Sequence, residues 1–217
     1  GQKTLTEAFP DRFLLGIGVS HQPAVEGFHG ASYGKPYSNM VKYLDAMDRS
    51  LFFASGPTQA PVRCLAALGP KMLKLAAEKT LGAHPYFVPV EHTPVARAIL
   101  GPDPLLAPEQ AVVFSTNADE ARAIARGHMS TYMGLPNYTN NLRRLGWGDE
   151  DLVTPNGPSD KLVDAIVAWG TLDDIHARIK AHLDGGADHV CVQVLSANPT
   201  AVTMNEFREL ASLIPGL

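Results

Sequence analysis

Short apolar segments alternate with amphipathic helical patterns along this chain, and that alternation constrains its fold more than any other feature. Five segments predict strands, at residues 13–19, 62–68, 82–88, 110–115 and 189–195. Each is apolar at consecutive positions, which is typical of strands covered on both faces, although Pro85 weakens the third. Strands that alternate with helices form parallel sheets, so the chain is predicted to be an α/β protein.

The segments between these strands predict helices and two irregular regions. Helical patterns cover residues 37–53, 71–80, 93–100, 159–169, 173–183 and 205–213. A further helix begins after Thr116 or Asn117, with Asp119 and Glu120 in its first turn. Residues 20–35 are predicted to form a loop that contains Gly and His, and residues 131–156 are predicted to be irregular because they are rich in Asn, Gly and Tyr. Glu91 and His92 are predicted in a surface loop.

Two architectures fit this alternation in a single domain spanning residues 1–217. One is an open, doubly wound sheet, and the other is a (β/α)8 barrel. A barrel has eight strands in about 250 residues. With five predicted strands in 217 residues, the open sheet is favoured unless the chain is part of a barrel.

Composition excludes several classes of function. The 18 Lys and Arg against 22 Asp and Glu give a net charge of −4, so no basic surface is available for a nucleic acid. No apolar run reaches the roughly 18 residues that span a bilayer, and no secretory signal opens the chain. Cys64 and Cys191 lie far apart in apolar segments, which predicts no disulfide and a cytoplasmic protein. Because the sequence begins with Gly1, we expect a processed chain or a fragment.

The segment 66–72 carries the clearest functional signal. A strand leads into Gly69 and Pro70, and a helix follows. Glycine allows close backbone approach, and a helix N-terminus with free N–H groups favours a phosphate, to which Lys71 adds charge. An ordinary strand-to-helix turn explains the same residues, and from this segment alone it is the better explanation.

Polar residues follow two other predicted strands. Ser20 and His21 come at the end of the first strand, where a parallel sheet meets its ligand crevice, although Ser20 could simply cap a turn. The segment is not a nucleophile elbow, because that motif needs glycine at the position of Gln22. It is not a dinucleotide-binding fingerprint either, because the third glycine of that motif is missing. His84 accompanies the third strand and could equally be a buried structural histidine.

Other polar and aromatic residues leave their role open. Gln193 could point into a cleft or serve as a hydrogen-bond partner in the core. Tyr132, Tyr138 and Trp147 could line a pocket under the 131–156 segment, anchor that segment, or face a partner subunit. No metal-ligand spacing is present, so no metal site is predicted.

Taken in order, several segments resemble the luciferase-like monooxygenase superfamily, and more narrowly its oxidoreductases that use coenzyme F420. The segments are residues 12–20, 37, 40–44, 66–73, 76–78, 82–86, 169–171 and 186–190. The resemblance implies a (β/α)8 TIM barrel. The five predicted strands would be barrel strands four to eight, and residues 4–10 the end of the third helix. The chain would thus be the C-terminal part of an N-terminally incomplete barrel.

The resemblance also implies a cofactor site. The end of the fourth barrel strand contributes Val19, Ser20 and His21, and a tyrosine is matched by Tyr37. The phosphate turn and the start of the next helix contribute Ala66, Ala67, Leu68, Gly69, Pro70, Lys71 and Met72. The region of the sixth strand contributes Gly82, Ala83 and His84. His21 and His84 are the catalytic candidates, because a neutral imidazole titrates near working pH. The family takes other acid–base residues from early strands that are absent here.

Four functional hypotheses follow. The first is hydride transfer between coenzyme F420 and a small organic substrate. The second is an FMN-dependent monooxygenase of the same superfamily. The third is a non-catalytic flavin-binding remnant or subunit, and the fourth an unrelated open-sheet protein. Missing strands would expose sheet edges beside the apolar residues 13–15. We therefore also expect that the isolated chain is poorly soluble, forms a homo-oligomer through that edge, or needs a partner chain there.

Overall fold

The computed structural model describes residues 1–214, in which helices and short strands alternate. The helices are α1 Gln2–Ala8, α2 Pro36–Asp48, α3 Pro70–Lys79, α4 His92–Leu100, α5 Ala118–Met133, α6 Pro136–Arg144, α7 Asp149–Leu152, α8 Asp160–Ile166, α9 Leu172–Asp184 and α10 Met204–Ala211, with a π-helix at Pro23–Phe28. The strands are β1 Leu14–Ile17, β2 Val62–Leu65, β3 Gly82–Ala83, β4 Leu105–Leu106, β5 Glu109–Val113, β6 Val167–Trp169 and β7 Cys191–Val194.

The first of two compact units comprises residues 1–84 and 99–105. Its sheet has the order β1-β2-β3-β4, and β1, β2 and β3 are parallel. Gly16 pairs with Cys64, and Ile17 with Leu65, which is fully buried. β1 is at the edge of this sheet, and both of its faces are only partly covered.

The second unit comprises, within the described chain, residues 85–98 and 106–214. Its three strands are parallel in the order β6-β5-β7, so the central strand comes first in sequence. On one face Val112 and Ala168 pack against Ile175 and Ile179 of α9, which forms a buried core. Because successive strand residues point to opposite faces, the residues of β5 and β7 that alternate with this set lie on the face of the sheet that is turned away from α9.

Several helix boundaries follow the chemistry predicted from the sequence. The Asn117 side chain accepts hydrogen bonds from the N–H groups of Asp119 and Glu120, which confirms the predicted cap of α5. Pro36 and Pro70 each occupy the first turn of a helix, where proline sacrifices no hydrogen bond. α9 ends at Gly185, as its Gly-Gly pair indicates.

Other predicted boundaries are wrong. The strands predicted at 62–68 and 82–88 end at Leu65 and Ala83, and the short β4 was not predicted. Pro85 has no N–H for a strand ladder, and Phe87 has a left-handed φ of 58°, so the chain cannot continue β3 there. The helix predicted at 159–169 ends at Ile166, because Val167–Trp169 pairs with β5 as β6.

The segments predicted to be irregular contain helices. Residues 131–156 include the end of α5, all of α6 and all of α7, since Pro136 begins a new helix directly after Gly134 ends the last. The 20–35 loop contains the π-helix. His92 begins α4 and is buried, so its placement in a surface loop is wrong.

The sequence predicted no transmembrane segment and no disulfide. Within residues 1–214, every helix is too short or too polar to cross a bilayer. Neither Cys64 nor Cys191 forms a disulfide bond among the described residues.

Candidate functional site

Many of the residues predicted to bind a cofactor follow three neighbouring strands of the first unit, whereas Gly82 and Ala83 form β3 itself and are buried. Residues 18–21 follow β1, residues 66–69 follow β2, and His84 follows β3. The Ala66 N–H donates to the Ile17 carbonyl at 2.9 Å, and the His84 N–H donates to the Leu65 carbonyl at 2.8 Å. Because these strands are parallel, the three segments lie along one edge of the sheet.

The start of α3 presents backbone donors at this edge. Gly69 is the extended N-cap residue, and its carbonyl accepts from the N–H groups of Met72 and Leu73 at 3.1 and 3.0 Å. No side chain caps the helix, and Pro70 lacks an N–H. The Lys71 N–H, at the second helical position, has no intrahelical acceptor and lies at the positive end of the helix. This arrangement fits an anionic phosphate.

The sheet face beside this turn is formed by small, exposed residues. Gly16, Gly18 and Ala66 are all exposed, and Gly16 and Gly18 lie on the same face of the chain. A Cβ added at Gly16 would meet no atom within 4 Å, and one at Gly18 would lie 3.3 Å from the Ala66 Cβ. Open space therefore borders this face at Gly16, where a larger side chain would fill it, whereas Gly18 and Ala66 already lie close together. The residues present fit a flat ring system laid against the sheet.

The remaining predicted site residues differ in what holds them. Ser20 has a left-handed φ of 58°, and its carbonyl accepts a hydrogen bond from the Tyr33 hydroxyl at 3.0 Å. His21 and His84 are half-buried in the segments that follow β1 and β3. Tyr37 lies in the first turn of α2 and is 41% exposed.

A second group of polar side chains lies in the second unit, and we call it the tyrosine cluster: Tyr86, His128, Tyr132 and Gln193. The Tyr86 hydroxyl oxygen lies 2.9 Å from Gln193 Oε1, 2.9 Å from the Tyr132 hydroxyl oxygen and 3.4 Å from His128 Nε2. A carbonyl oxygen only accepts, so Tyr86 donates its single proton to Gln193 and Tyr132 donates to Tyr86. Burial is the largest cause of the raised pKa of Tyr86, which keeps this phenol protonated.

Glu109 holds the turn that carries Tyr86. Its backbone N–H donates to the Pro85 carbonyl at 2.8 Å, and its Oε2 accepts from the Phe87 N–H at 3.3 Å. Both bonds hold the left-handed Phe87 in place. Burial raises the pKa of Glu109 to about 7, and the Phe87 hydrogen bond opposes that shift. The other oxygen, Oε1, has no hydrogen-bond partner among the described residues.

A cleft of about 670 Å³ adjoins this cluster, between α5 and the end of β7. His128, Tyr132 and Gln193 line it. Tyr132 thus lines a cleft, which was one of the three alternatives predicted for it. Tyr138 is buried, and the Trp147 indole N–H donates to Glu91 at 3.0 Å. Sequence reasoning did not select Tyr86, His128 or Glu109; the only signal for Glu109 was a carboxylate directly before a buried strand.

A third polar group in the second unit is fully enclosed and structural. Gln110 Nε2 donates to the carbonyls of Ala111 and Ile166, which leaves its Oε1 to accept from His182 Nε2 at 3.0 Å. His182 Nδ1 then accepts from the Thr93 hydroxyl at 2.7 Å. Burial, followed by nearby Arg178, lowers the pKa of His182 to about 4, so the ring is neutral. Among the described residues no group of three or more His, Cys, Asp or Glu side chains could hold a metal ion.

Comparison with protein families identifies the chain. The model of the family described as luciferase-like monooxygenase matches residues 3–189, most of the sequence. The chain belongs to this luciferase-like family. No curated protein matches it in sequence.

Solved structures of three enzymes are similar to this luciferase-like chain. An F420-dependent secondary alcohol dehydrogenase, in complex with an F420–acetone adduct, is 14% identical with a TM-score of 0.66, covering 89% of this chain and 67% of that one. The coenzyme F420-dependent tetrahydromethanopterin reductase of Methanopyrus kandleri is 16% identical with a TM-score of 0.65, covering 99% and 77%. The oxygenating constituent of 3,6-diketocamphane monooxygenase of Pseudomonas putida, in complex with FMN, is 18% identical with a TM-score of 0.62, covering 98% and 72%.

These similarities confirm the predicted family and fold class. The luciferase-like chain has the α/β fold of the TIM-barrel members, and its described strands form two sheets rather than one closed barrel. The unrelated open-sheet hypothesis is therefore wrong. Members of the family are oxidoreductases and monooxygenases, and the similar structures include proteins with F420 and with FMN.

Proposed function

We propose that this luciferase-like chain binds coenzyme F420 at the strand-end edge of its first unit and serves hydride transfer with a small organic substrate. The observation that carries the proposal is the uncapped start of α3 beside the exposed face of Gly16, Gly18 and Ala66. Backbone donors suit the phosphate of the coenzyme, and the small residues leave room for its ring. Bound F420 supplies the hydride donor or acceptor.

The chain's own residues then bind, orient and exchange protons. Gly69 and Lys71 hold the phosphate, and the Lys71 ammonium adds an attractive charge. The glycine and alanine face positions the ring by contact. His21 and His84 follow β1 and β3 at the same edge, where an imidazole can exchange a proton with the substrate during its oxidation or reduction.

Titration of the purified chain with F420, FMN and NADPH tests this proposal. Fluorescence or calorimetry should show saturable F420 binding, and Ala66→Leu should weaken it at least tenfold by filling the exposed face. Ala31→Leu, the same change at an exposed loop position, should leave binding unchanged. Absence of F420 binding, or equal loss in both variants, would refute the proposed site.

FMN is the alternative cofactor, because one of the similar structures contains it. The same strand-end edge would receive its phosphate and ring, since the backbone donors do not distinguish the two coenzymes. Tighter binding of FMN than F420 would select the monooxygenase hypothesis. Binding of either cofactor without turnover of any substrate would favour the non-catalytic subunit.

We also propose that a second copy of this chain covers the edge strand β1. Leu14 is 42% exposed on this strand, and no described strand pairs with its outer side. Unpaired strand edges with apolar side chains favour association with another chain. The expected product is a homo-oligomer of the luciferase-like chain.

A further inference from the structure

The cleft between α5 and the end of β7 has the size of a small-molecule site. Its volume of about 670 Å³ falls in the range of ligand pockets. One wall is a continuous stripe of α5 at positions 123, 124, 127, 128, 131 and 132, which succeed one another at helical spacing. The other wall is residues 193–199 and 201, at the carboxyl end of β7 and in the loop after it. Both walls belong to the second unit.

The cleft carries no formal charge on the described residues that line it. Its apolar surface comes from Ile124, Leu195 and Pro199, with Gly127 allowing close approach to the helix backbone. His128 is the single titratable side chain of the lining with a shifted pKa, and burial lowers that pKa, which keeps the ring neutral at pH 7. A charged ligand would lose hydration here without an opposite charge in return.

The polar groups of the cleft are fixed before any ligand arrives. Tyr86 donates to Gln193 Oε1, which orients the amide and leaves its two Nε2 hydrogens without a hydrogen-bond acceptor among the described residues. Tyr86 is itself held by its hydrogen bond with Tyr132, and its turn is held by the hydrogen bond from the Phe87 N–H to Glu109. Gln193 is therefore a rigid donor on the cleft wall, and a rigid donor binds with little loss of rotamer freedom.

We propose that this cleft binds an uncharged, largely apolar organic molecule whose hydroxyl or carbonyl oxygen accepts a hydrogen bond from Gln193 Nε2. The apolar part of the ligand lies against Ile124 and Leu195, and its oxygen lies beside Gln193. All residues that line this cleft belong to the second unit, whereas the proposed F420 site is formed by residues of the first, so the two proposals rest on different residues.

Three matched probes test the proposal on the full chain at pH 7. 2-Naphthol is neutral and carries a hydroxyl, 2-naphthoate is an anion, and 2-naphthylmethylamine is a cation. Calorimetric titration should give a saturable dissociation constant for 2-naphthol, at least tenfold lower than for either charged probe. Equal affinities for all three, or no saturable binding of 2-naphthol, would overturn the proposal.

Substitution then assigns the contact. Gln193→Leu removes the donor at similar volume and should weaken 2-naphthol binding about fivefold, whereas Gln59→Leu, on the exposed surface of the first unit, should not. Unchanged binding in Gln193→Leu would overturn the assigned contact. If that variant fails to fold, the side-chain amide signals of the wild-type protein decide: 2-naphthol should shift one Gln pair that saturates at the calorimetric constant, and the absence of such a shift would count against the contact.

Discussion

Replacement of Gly82 by alanine should destabilise the protein strongly, whereas the same change at Gly16 should not. The two glycines lie on parallel strands of one sheet that are separated by only β2. A Cβ built at Gly82 would overlap the backbone N, C and O of Leu105, which is a collision that no rotamer change can relieve. A Cβ at Gly16 would meet no atom within 4 Å.

The expected loss follows from what must move. To accommodate the methyl group, β3 and β4 must separate, which breaks the 2.8 Å bond from the Leu105 N–H to the Leu81 carbonyl. One backbone hydrogen bond contributes about 1 kcal/mol, and overpacking in a buried region costs about 1–3 kcal/mol. Gly82→Ala should therefore lower the free energy of unfolding by about 3 kcal/mol. Gly16→Ala should change it by less than about 0.5 kcal/mol, as at other open surface positions.

Urea denaturation followed by far-UV circular dichroism measures both variants. With an m-value of about 2 kcal/mol/M, the Gly82→Ala midpoint should fall by about 1.5 M, and the Gly16→Ala midpoint should stay within about 0.3 M of the wild type. Similar midpoints for the two variants would show that the close approach of Gly82 to Leu105 does not exist in the folded chain. The approach also gives Gly82 a packing role apart from any contact with a cofactor.

Three further predictions concern stability and assembly. The pKa of His182 is about 4 in the folded chain and 6.5 in the unfolded chain, so the unfolded chain binds more protons between those pH values. The free energy of unfolding should therefore fall by about 3 kcal/mol as the pH drops from 6.5 to 4. In His182→Gln, this pH dependence should be smaller in urea titrations across pH 4–7. Asn117→Ala removes the cap of α5 and should lower the free energy of unfolding by about 1 kcal/mol, measured the same way. Leu14→Lys places a charge on the edge strand and should convert the expected oligomer to monomer in size-exclusion chromatography with light scattering.

Each of these has an outcome that contradicts it. Equal acid sensitivity of the wild type and His182→Gln would mean that other groups control stability below pH 6.5. No stability change in Asn117→Ala would mean that water satisfies the first turn of α5 equally well. A wild-type chain that is already monomeric at high concentration would remove the proposed β1 interface, and Leu14→Lys would then have no assembly to disrupt.

Local sequence signals were sufficient for the α/β class, for four of the parallel strands and for most helix starts, but they missed β4 and predicted a helix where β6 lies. Apolar segments of the sequence predicted β1, β2, β5 and β7, because these strands contain few polar residues over four or more positions. Asn117 and Pro70 marked helix starts through chemistry that acts within one turn. The ends of β3 depended instead on the left-handed Phe87 and its bond to Glu109, 22 residues away, which no local pattern contains.

The two candidate sites differ in the same way. The strand-end edge of the first unit was accessible from sequence because its members follow predicted strands, and parallel strands bring their ends together. The tyrosine cluster joins Tyr86, Tyr132 and Gln193 across separations of 46 and 107 residues through one hydroxyl. Each of these residues alone is as compatible with an ordinary core as with a binding site. Only their convergence, with the Gln193 donors left unused beside an uncharged cleft, distinguishes a binding surface from a satisfied core, and the naphthol series measures that distinction directly.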